Sequence, residues 1–310
     1  MKKFKKNHII TPLLIALTGL IVTVGSVFFF KQSPVPEKTP DKTEPTQSRS
    51  NQQSEPTKTE NPAKTDNQEN SPAINKEQTF CTRQTFENKS YIVCKVDPKE
   101  YHIGLFLNDS AGRPYNYFRN VEKMLAARGQ KLAFAVNGGM YHKDFSAVGL
   151  YVEDGKQLHA LSTKDGPGNF HMKPNGIFFI ENNKAGVLET EAYQKAGIKP
   201  DLATQSGPML VIENKIHPRF IPNSPFLEYR NGVGVTADGL VFFVNSEDKV
   251  NFDEFARFFR DRLKTPNALF LDGSISSLYA PEMKRYDWWY SLGPIIGIIV
   301  EKDVEQNSVK

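Results

Sequence analysis

The sequence has few of the residues from which metal centres are built. It contains two cysteines and six histidines in 310 residues. Cys81 and Cys94 have no paired histidines beside them, so their spacing does not suit a zinc site. No cluster of histidine and aspartate has the spacing of metal ligands. No cofactor is therefore expected, and no set of metal ligands is assigned.

Two further absences argue against whole classes of protein. No block of lysine and arginine in the folded part is as dense as in a protein that binds a phosphate backbone, so no nucleic-acid partner is expected. The net charge of +4 owes much to four N-terminal lysines, Lys2, Lys3, Lys5 and Lys6. The G-x-S-x-G motif is also missing, which argues against a serine nucleophile on a strand-to-helix turn.

Residues 1–31 have the pattern of a membrane anchor. The four lysines precede an uncharged, apolar stretch, 9–30, about as long as a helix that crosses a bilayer core of roughly 30 Å. The apolar run continues past Gly25 and Ser26, where a signal peptide could be cleaved, so an uncleaved signal-anchor is favoured. The lysines are then cytoplasmic, and the bulk of the chain lies outside.

Residues 32–79 have the composition of a disordered linker. They contain no aromatic residue and almost no aliphatic ones, and Pro, Thr, Lys, Glu, Gln, Asn and Ser dominate. Such a segment cannot bury enough surface to offset the entropy lost on ordering. The domain that is expected to fold is therefore 80–310.

Cys81 and Cys94 stand at the start of this domain. Outside the cytoplasm they could close a β-hairpin as a disulfide, which a loop-entropy estimate values at roughly 3 kcal/mol. Two free, buried thiols are the alternative, and an oxidising compartment disfavours them.

Short apolar strands and two helices are predicted across the domain. The first helix, 118–128, has apolar residues on one face and Gly129 just past its end. The second, 251–264, begins with Asn251 and Glu254, which resemble a capping box. Strands are predicted at 91–96, 101–107, 131–136, 148–152, 177–180, 187–189, 210–212, 233–236, 240–245, 268–271 and 294–300. The domain is therefore rich in strands.

A candidate site for chemistry lies at the end of the predicted strand 268–271. The apolar run stops at Asp272, and small or hydroxylic residues follow it: Gly273, Ser274, Ser276 and Ser277. A carboxylate beside such residues at the mouth of a buried strand has a rigid support, which catalysis needs. The alternative is that Asp272 only caps a turn through its own backbone.

The predicted strand 131–136 runs directly into a second candidate segment, N-G-G-M-Y, which begins at Asn137. Its two glycines, Gly138 and Gly139, let the backbone turn sharply and bring main-chain N–H groups close to a ligand. A type I′ hairpin turn is the alternative, because Asn-Gly is its commonest signature. The next strand begins too far away for a two-residue loop. Asp144 lies on the same loop and is a second candidate carboxylate for the site.

Two further segments carry polar groups next to strands. Gln205 and Ser206 lead with Gly207 into the strand 210–212, and both are interpreted as binding groups. Arg230 precedes the predicted hairpin and can offer a planar, bidentate fork to a phosphate. His171, in a polar loop, is interpreted as a surface residue.

Taken together, these motifs resemble the phosphodiester glycosidase domain. The segments that carry the resemblance are N-G-G-M-Y at Asn137, Q-S-G-P-M-L at Gln205, R-N-G-V-G-V at Arg230, L-D-G-S-I-S-S at Leu271 and L-G-P-I-I-G near the end. The resemblance covers the chain from about residue 80 onward and is closest to a bacterial envelope branch of the family. It implies an α+β fold with mixed, mainly antiparallel sheets and a few helices. The family's common motif has further glycines after L-D-G, where this chain has Ser274 and Ile275.

The resemblance implies hydrolysis of a sugar-1-phosphodiester between the anomeric carbon and oxygen. A phosphomonoester is already a good leaving group, so the acid that ordinary glycosidases use is not required. Asp272 would then activate water or stabilise an oxocarbenium ion, while Arg230 and glycine N–H groups would bind the phosphate. Asn137 is the third residue expected in catalysis. Substrate contacts are expected from Gly138, Gly139, Tyr141, Asp144, Gln205, Ser206, Gly207, Gly273, Ser274, Ser276 and Ser277.

The expected protein is therefore a single-pass hydrolase of the bacterial cytoplasmic membrane, with its domain on the periplasmic or extracellular side. Its expected substrate is a sugar phosphodiester or phosphoglycan of the envelope. Two alternatives stay open at this point. A non-catalytic binder of phosphorylated envelope glycans would need the same arginine and amide groups, and a metal-dependent phosphodiesterase would attack phosphorus instead.

Overall fold

The computed structural model describes residues 79–302. The predicted membrane anchor, 1–31, lies outside these residues, and so does the predicted linker, 32–79, apart from its last residue. Within 79–302, the helices are too short or too polar for any of them to span a bilayer.

Three antiparallel β-sheets make up most of the described region. The first has the strand order β1 (Cys81–Phe86), β2 (Lys89–Val96), β13 (Val241–Ser246), β12 (Asn231–Val235), β14 (Asn267–Asp272), β10 (Met209–Ile212) and β11 (Lys215–Ile216). The second has the order β16 (Arg285–Tyr286), β15 (Leu278–Ala280), β4 (Gln130–Asn137), β17 (Ile295–Glu301) and β3 (His102–Phe106). The third has the order β6 (Lys156–His159), β5 (Tyr151–Glu153), β9 (Leu202–Ser206), β7 (Gly176–Glu181) and β8 (Lys184–Glu189).

Few helices accompany these sheets. They are α1 (Phe118–Ala126), α2 (Thr190–Ala196) and α3 (Phe252–Arg257), which continues into a π-helical turn, Phe258–Arg262. Two single 3₁₀ turns, Asn169–His171 and Pro281–Met283, complete the list for the described residues. The predicted α+β class with mainly antiparallel sheets is confirmed. Helix α2 was not predicted from the sequence; it is short, and the Glu189 side chain caps its N-terminus.

Helix α3 begins where its sequence predicts. The Asn251 side chain accepts a hydrogen bond from the Glu254 N–H at 2.9 Å, and the Glu254 carboxylate accepts one from the Asn251 N–H at 2.8 Å. This capping box satisfies two N–H groups that the first helical turn leaves without partners. The last predicted turn is π-helical rather than α-helical, and it buries Phe258 and Phe259 against the first sheet.

The main hydrophobic core is shared by all three sheets. Phe243 on β13 contacts Phe134 on β4 and Phe178 on β7, with ring centroids 5.8 and 5.7 Å apart. Each of the three rings belongs to a different sheet and is almost fully buried. Such aromatic contacts add about 0.5–1.5 kcal/mol each beyond area burial. The opposite face of the first sheet packs against α3 in a second aromatic cluster, in which Tyr91 stacks on Phe258.

A disulfide bond joins Cys81 on β1 to Cys94 on β2. The two residues lie directly opposite each other in the antiparallel pair. The bond therefore ties the N-terminal edge strand to the first sheet at the point where the folded domain begins.

Candidate active site

Asp272 is the last residue of β14 and opens into a cavity of about 450 Å³. One wall of the cavity is the segment after β4, and the other is the loop that contains the 3₁₀ turn Asn169–His171. The lining residues are Met140, Tyr141, His142, Val148, Pro167, Gly168, Asn169, Phe170, His171, Asp272, Ser274 and Ile275. Among these described residues, Asp272 is the one that carries a carboxylate.

Burial raises the pKa of the Asp272 carboxyl group to about 6. Hydrogen bonds from the backbone at Gly273, Ser274 and Ile275 favour the charged form and oppose this effect. Loss of hydration outweighs them, because a desolvated carboxylate is less stable than its acid form. A carboxyl group with this pKa can exchange a proton near neutral pH, which general acid–base catalysis requires.

A buried pair of asparagines fixes the backbone on both sides of Asp272. Asn137, at the end of β4, accepts hydrogen bonds from the Asn231 side chain at 3.0 Å and from the Ser277 N–H at 2.9 Å. Asn231, at the start of β12, accepts one from the Asp272 N–H at 2.9 Å and donates one to the Asn137 carbonyl at 3.1 Å. The pair therefore holds both ends of the turn 272–277.

Asn245 on β13 supports the same turn. Its amide nitrogen donates to the Ser276 hydroxyl at 3.1 Å and to the Ser277 carbonyl at 3.5 Å. The Ser277 hydroxyl is turned back onto the Ile275 carbonyl. Of the predicted binding serines in this turn, Ser277 is therefore buried and structural, whereas Ser274 and Ser276 line a neighbouring cleft with Gly273.

Tyr141 forms part of the cavity wall next to Asp272. Its hydroxyl donates a hydrogen bond to the Ser291 carbonyl at 2.5 Å, and its ring lies against Gly293, where a Cβ atom would be 2.5 Å from the ring. Burial, and secondarily the charge of Asp272, raise the pKa of Tyr141 to about 12. The phenol therefore stays protonated at neutral pH and can donate hydrogen bonds but cannot act as a base.

Two histidines face the cavity. His142 follows Tyr141, and His171 lies on the opposite wall. The His171 Nδ1 atom lies 3.1 Å from the Lys164 carbonyl oxygen, which can only accept a hydrogen bond. Nδ1 therefore carries a proton, and Nε2 is the acceptor of the neutral ring. His171, interpreted from the sequence as a surface residue, is half-buried and lines the cavity.

Arg230 is not at this cavity, and the expectation that its side chain binds phosphate is wrong. Its Nε donates to the Val250 carbonyl at 2.9 Å, and its guanidinium stacks over the Phe252 ring at 3.7 Å from the centroid. Only 4% of the residue is exposed, and burial lowers its pKa to about 10. Adjacent strand residues face opposite sides of a sheet, so Arg230 packs under α3 while Asn231 reaches the site.

The side chains of Gln205 and Ser206 form hydrogen bonds within the protein and are not free to bind a ligand. The Gln205 side chain accepts from Leu150 and Ser162 N–H groups and donates to the Ser162 carbonyl at 2.7 Å. Through these bonds Gln205 holds the loop at Ser162 against β9. The Ser206 hydroxyl donates to the Leu271 carbonyl at 2.8 Å, which ties β9 to β14 just before Asp272. The expectation that these two side chains contact substrate is not supported.

The glycines of the predicted site are needed for packing. The Gly138 N–H donates to the Pro294 carbonyl at 2.7 Å and cannot serve a phosphate. Gly139 has φ of +147°, and a Cβ atom there would lie 3.0 Å from the Thr204 hydroxyl. A Cβ at Gly207 would lie 2.6 Å from Asn175. The absence of a side chain at these positions lets β4, β9 and the neighbouring loops approach closely. The prediction that the Gly138 N–H binds phosphate is wrong.

Asp144 is an exposed residue of a local turn. Its carboxylate accepts hydrogen bonds from the Ser146 hydroxyl and N–H, which lower its pKa. It does not line the cavity with Asp272. The structure thus brings Asn137, Tyr141, Asp272 and Ser274 together, and it separates Asp144, Gln205 and Arg230 from them.

No group of three His, Cys, Asp or Glu side chains within residues 79–302 is arranged to hold a metal ion. The residues that the sequence analysis missed are Asn231, Asn245 and the two histidines. Asn231 stood inside the R-N-G-V-G-V motif, and the alternation of strand side chains could have identified it. No local sequence pattern marks His142 or His171 as a cavity residue. His171 reaches the cavity through the 3₁₀ turn Asn169–His171 and the irregular backbone around it.

Several known proteins are similar to this chain in sequence or in structure. The model of the phosphodiester glycosidase family NAGPA matches residues 130–289. The chain is 33% identical over 184 residues to the uncharacterized protein YigE of Escherichia coli (strain K12), and the match covers 59% of this chain and 72% of YigE. The catalytic domain of zebrafish N-acetylglucosamine-1-phosphodiester alpha-N-acetylglucosaminidase, auto-inhibited by its pro-peptide, aligns with a TM-score of 0.50 and 15% identity. That alignment covers 71% of this chain and 81% of the zebrafish chain, and it shows a shared fold.

Fold and site define an α+β protein whose cavity is built around one carboxylate at a strand end. The chain belongs to the phosphodiester glycosidase family, as its motifs predicted. Membership suggests hydrolysis of sugar phosphodiesters.

Proposed function

We propose that this protein is an extracytoplasmic hydrolase that cleaves a sugar-1-phosphodiester in envelope or extracellular glycans. The observation that carries the proposal is the cavity with a single carboxylate, Asp272, whose pKa is raised to about 6. An ordinary glycosidase needs two carboxyl groups, one of which protonates a poor leaving group. A phosphomonoester leaves without that proton, so one carboxylate is sufficient for this reaction.

In the proposed reaction, water attacks the anomeric carbon of the sugar. The bond between that carbon and the phosphoester oxygen breaks, and the phosphomonoester leaves with the oxygen and the electron pair. Ionised Asp272 accepts a proton from the attacking water. Direct attack by water inverts the configuration of the anomeric carbon. The asparagine pair holds Asp272 in place through its backbone, so Asn137 and Asn231 act as positioning residues.

The phosphate has hydrogen-bond donors in the cavity even though Arg230 is elsewhere. His142, His171 and Ser274 line it. The His142 imidazole and the Ser274 hydroxyl can donate to phosphate oxygens. The Nδ1–H of His171 is already donated to the Lys164 carbonyl, and its Nε2 is an acceptor. We assign phosphate binding to His142 and Ser274, and sugar contacts to Tyr141.

The location of the enzyme is part of the same proposal. The N-terminal lysines and the apolar stretch 9–30 support a signal-anchor in the cytoplasmic membrane. The disulfide Cys81–Cys94 supports an oxidising compartment for the domain. Residues 32–79 would then act as a tether. Sedimentation of the full-length protein with membranes, and protease access from the outer side only, would test this arrangement.

Isotope labelling tests the reaction. The full-length protein is incubated in H₂¹⁸O with methyl phosphodiesters of several sugars, and both products are analysed by mass spectrometry. We expect the label in the sugar and none in the methyl phosphate. Label in the phosphate would mean attack on phosphorus, and EDTA sensitivity of that activity would identify a metal-dependent phosphodiesterase. Binding of the substrates without any turnover would favour the non-catalytic binder.

A further inference from the structure

A second cleft lies beside the cavity of Asp272. Its volume is about 530 Å³, within the range of about 300–1,000 Å³ that small-molecule sites occupy. Ser274 lines both spaces, and Gly273, Ser276 and Ser277 line the second one only. The turn that the asparagines hold in place therefore forms the boundary between two adjoining sites.

The rim of this cleft is aromatic and exposed. Tyr229, Trp289 and Tyr290 line it and are 47%, 72% and 51% exposed. Trp288 stacks on Trp289 with ring centroids 4.1 Å apart, so one face of the Trp289 indole is supported and the rest is open. A contiguous group of exposed aromatic side chains beside polar residues is typical of a ligand-binding groove or an interaction site.

The charges of the cleft do not suit an anion. Both cationic side chains that line it are paired with lining carboxylates. Lys249 lies 3.6 Å from Glu228, and Arg285 lies 2.9 Å from Asp287. A second phosphate would have to compete with these carboxylates.

The remaining lining carboxylate, Glu247, forms an ion pair with Arg83 outside the cleft. The lining therefore offers paired charges and the hydroxyls of Ser274, Ser276, Tyr229 and Tyr290 as hydrogen-bonding groups, with no excess of positive charge. A neutral ligand rich in hydroxyl groups matches this set of partners.

We propose that this cleft binds a neutral sugar unit. A pyranose ring has an apolar C–H face, which stacks on an indole or phenol ring, and a rim of hydroxyls, which bonds to carboxylates and guanidinium groups. The two requirements meet in this cleft, because Trp289 and the Arg285–Asp287 pair both line it. Since the cleft adjoins the cavity of Asp272, the bound unit belongs to the same glycan as the sugar that is cleaved; this last point rests on the proposed function.

The protein supplies its own probe for this binding. Trp288 and Trp289 are its two tryptophans, so all indole fluorescence comes from one stacked pair, of which Trp289 lines the cleft. The full-length protein is titrated with maltotriose, cellotriose and N,N′,N″-triacetylchitotriose, and with glycerol phosphate as the anionic comparison. We expect a saturable change in emission with at least one neutral trisaccharide and none with glycerol phosphate at equal concentration.

Calorimetry with the trisaccharide that binds then assigns the site. Trp289→Ala should raise its Kd at least tenfold, whereas Trp289→Phe, which keeps an aromatic face, should stay within about threefold. Leu158→Ala is the matched control, because Leu158 is another exposed apolar side chain, 41% accessible, on β6 of the third sheet. Its Kd should equal that of the wild type.

The outcomes separate this proposal from the proposed function. Trisaccharide binding that depends on Trp289, without hydrolysis of any phosphodiester, would retain the sugar cleft and reject the enzyme. Hydrolysis without binding of any of the three trisaccharides would overturn the cleft. So would a Trp289→Ala variant that binds as tightly as the wild type, or a preference for glycerol phosphate.

Discussion

Two neighbouring residues, Arg230 and Asn231, show how differently the two faces of the first sheet are used. Arg230 is buried beneath α3, where backbone carbonyls and the Phe252 ring surround its guanidinium. Asn231 faces the other way and holds Asn137 and the Asp272 backbone. A charged residue in a glycine-rich motif is thus structural here, and a neutral one beside it builds the site. Side-chain charge alone is a poor guide to function.

Asp272→Asn has the largest expected effect, because it changes the carboxylate on the side of the first sheet that Asn231 faces. The amide keeps the size of the side chain but cannot accept a proton, so we expect turnover to fall about 100- to 10,000-fold. Initial rates on the phosphodiester that the isotope experiment identifies would measure this. Asp144→Asn is the matched control, because that exposed carboxylate only closes a local turn, and its rate should stay near that of the wild type. A fall of only a fewfold in Asp272→Asn would contradict the catalytic assignment.

The pKa of Asp272 also predicts how stability changes with pH. Its folded-state pKa of about 6 lies above the ordinary value of 3.8, so the folded protein binds the proton more tightly than the unfolded chain. The stabilisation of the folded state by this tighter proton binding is complete below pH 4 and is lost as the pH rises to 6. Asp272→Asn should therefore be more stable than the wild type at pH 7 by up to about 3 kcal/mol, and equal to it near pH 3.5. Urea unfolding at both pH values would measure the difference.

Asn231→Ala should damage the fold and the site together. It leaves the Asp272 N–H and the Asn137 side chain without their partner, which costs about 1–3 kcal/mol for buried groups. Because the turn 272–277 loosens, we also expect turnover to fall about tenfold. Unfolding free energy and kcat are measured on the same preparation. A variant that loses stability but retains full kcat would show that Asn231 does not position Asp272.

Arg230→Met should affect stability alone, by about 2 kcal/mol. The variant removes the hydrogen bonds from the guanidinium to the Val250 and Phe226 carbonyls and removes the stacked cation, while the Val250 carbonyl still accepts from the Glu228 N–H. Arg230→Lys separates charge from shape, since lysine keeps the charge but lacks the planar fork. We expect kcat/KM of both variants to stay within threefold of the wild type. A hundredfold loss at unchanged melting temperature would instead return Arg230 to the phosphate site.

Local sequence signals predicted the parts of the fold and site that depend on neighbouring residues. The capping box of Asn251 and Glu254 begins α3, as predicted. The apolar runs before Asn137 and Asp272 form β4 and β14, and both polar residues stand at the ends of those strands. The meeting of Asn137 and Asp272 was inferred from family motifs rather than from any local pattern.

The direction of a side chain was harder to predict. Arg230 and Asn231 differ by one residue, so a shift of one residue in strand register exchanges the two faces. A bulge between β12 and β14 lies at this point, and the sequence gives no sign of it. Gln205 was misjudged for a related reason, because its partners Leu150 and Ser162 are distant in the chain. Hydrogen bonds between distant segments decide whether a polar side chain is available to a ligand.

The asparagine pair joins different sheets, because Asn137 ends a strand of the second sheet and Asn231 begins a strand of the first. The site therefore does not exist within either sheet alone, and it forms only when the two have docked. A partly folded chain would be inactive even if its individual sheets were formed. Recovery of turnover during refolding would consequently report the docking of the two sheets, later than any signal from strand formation.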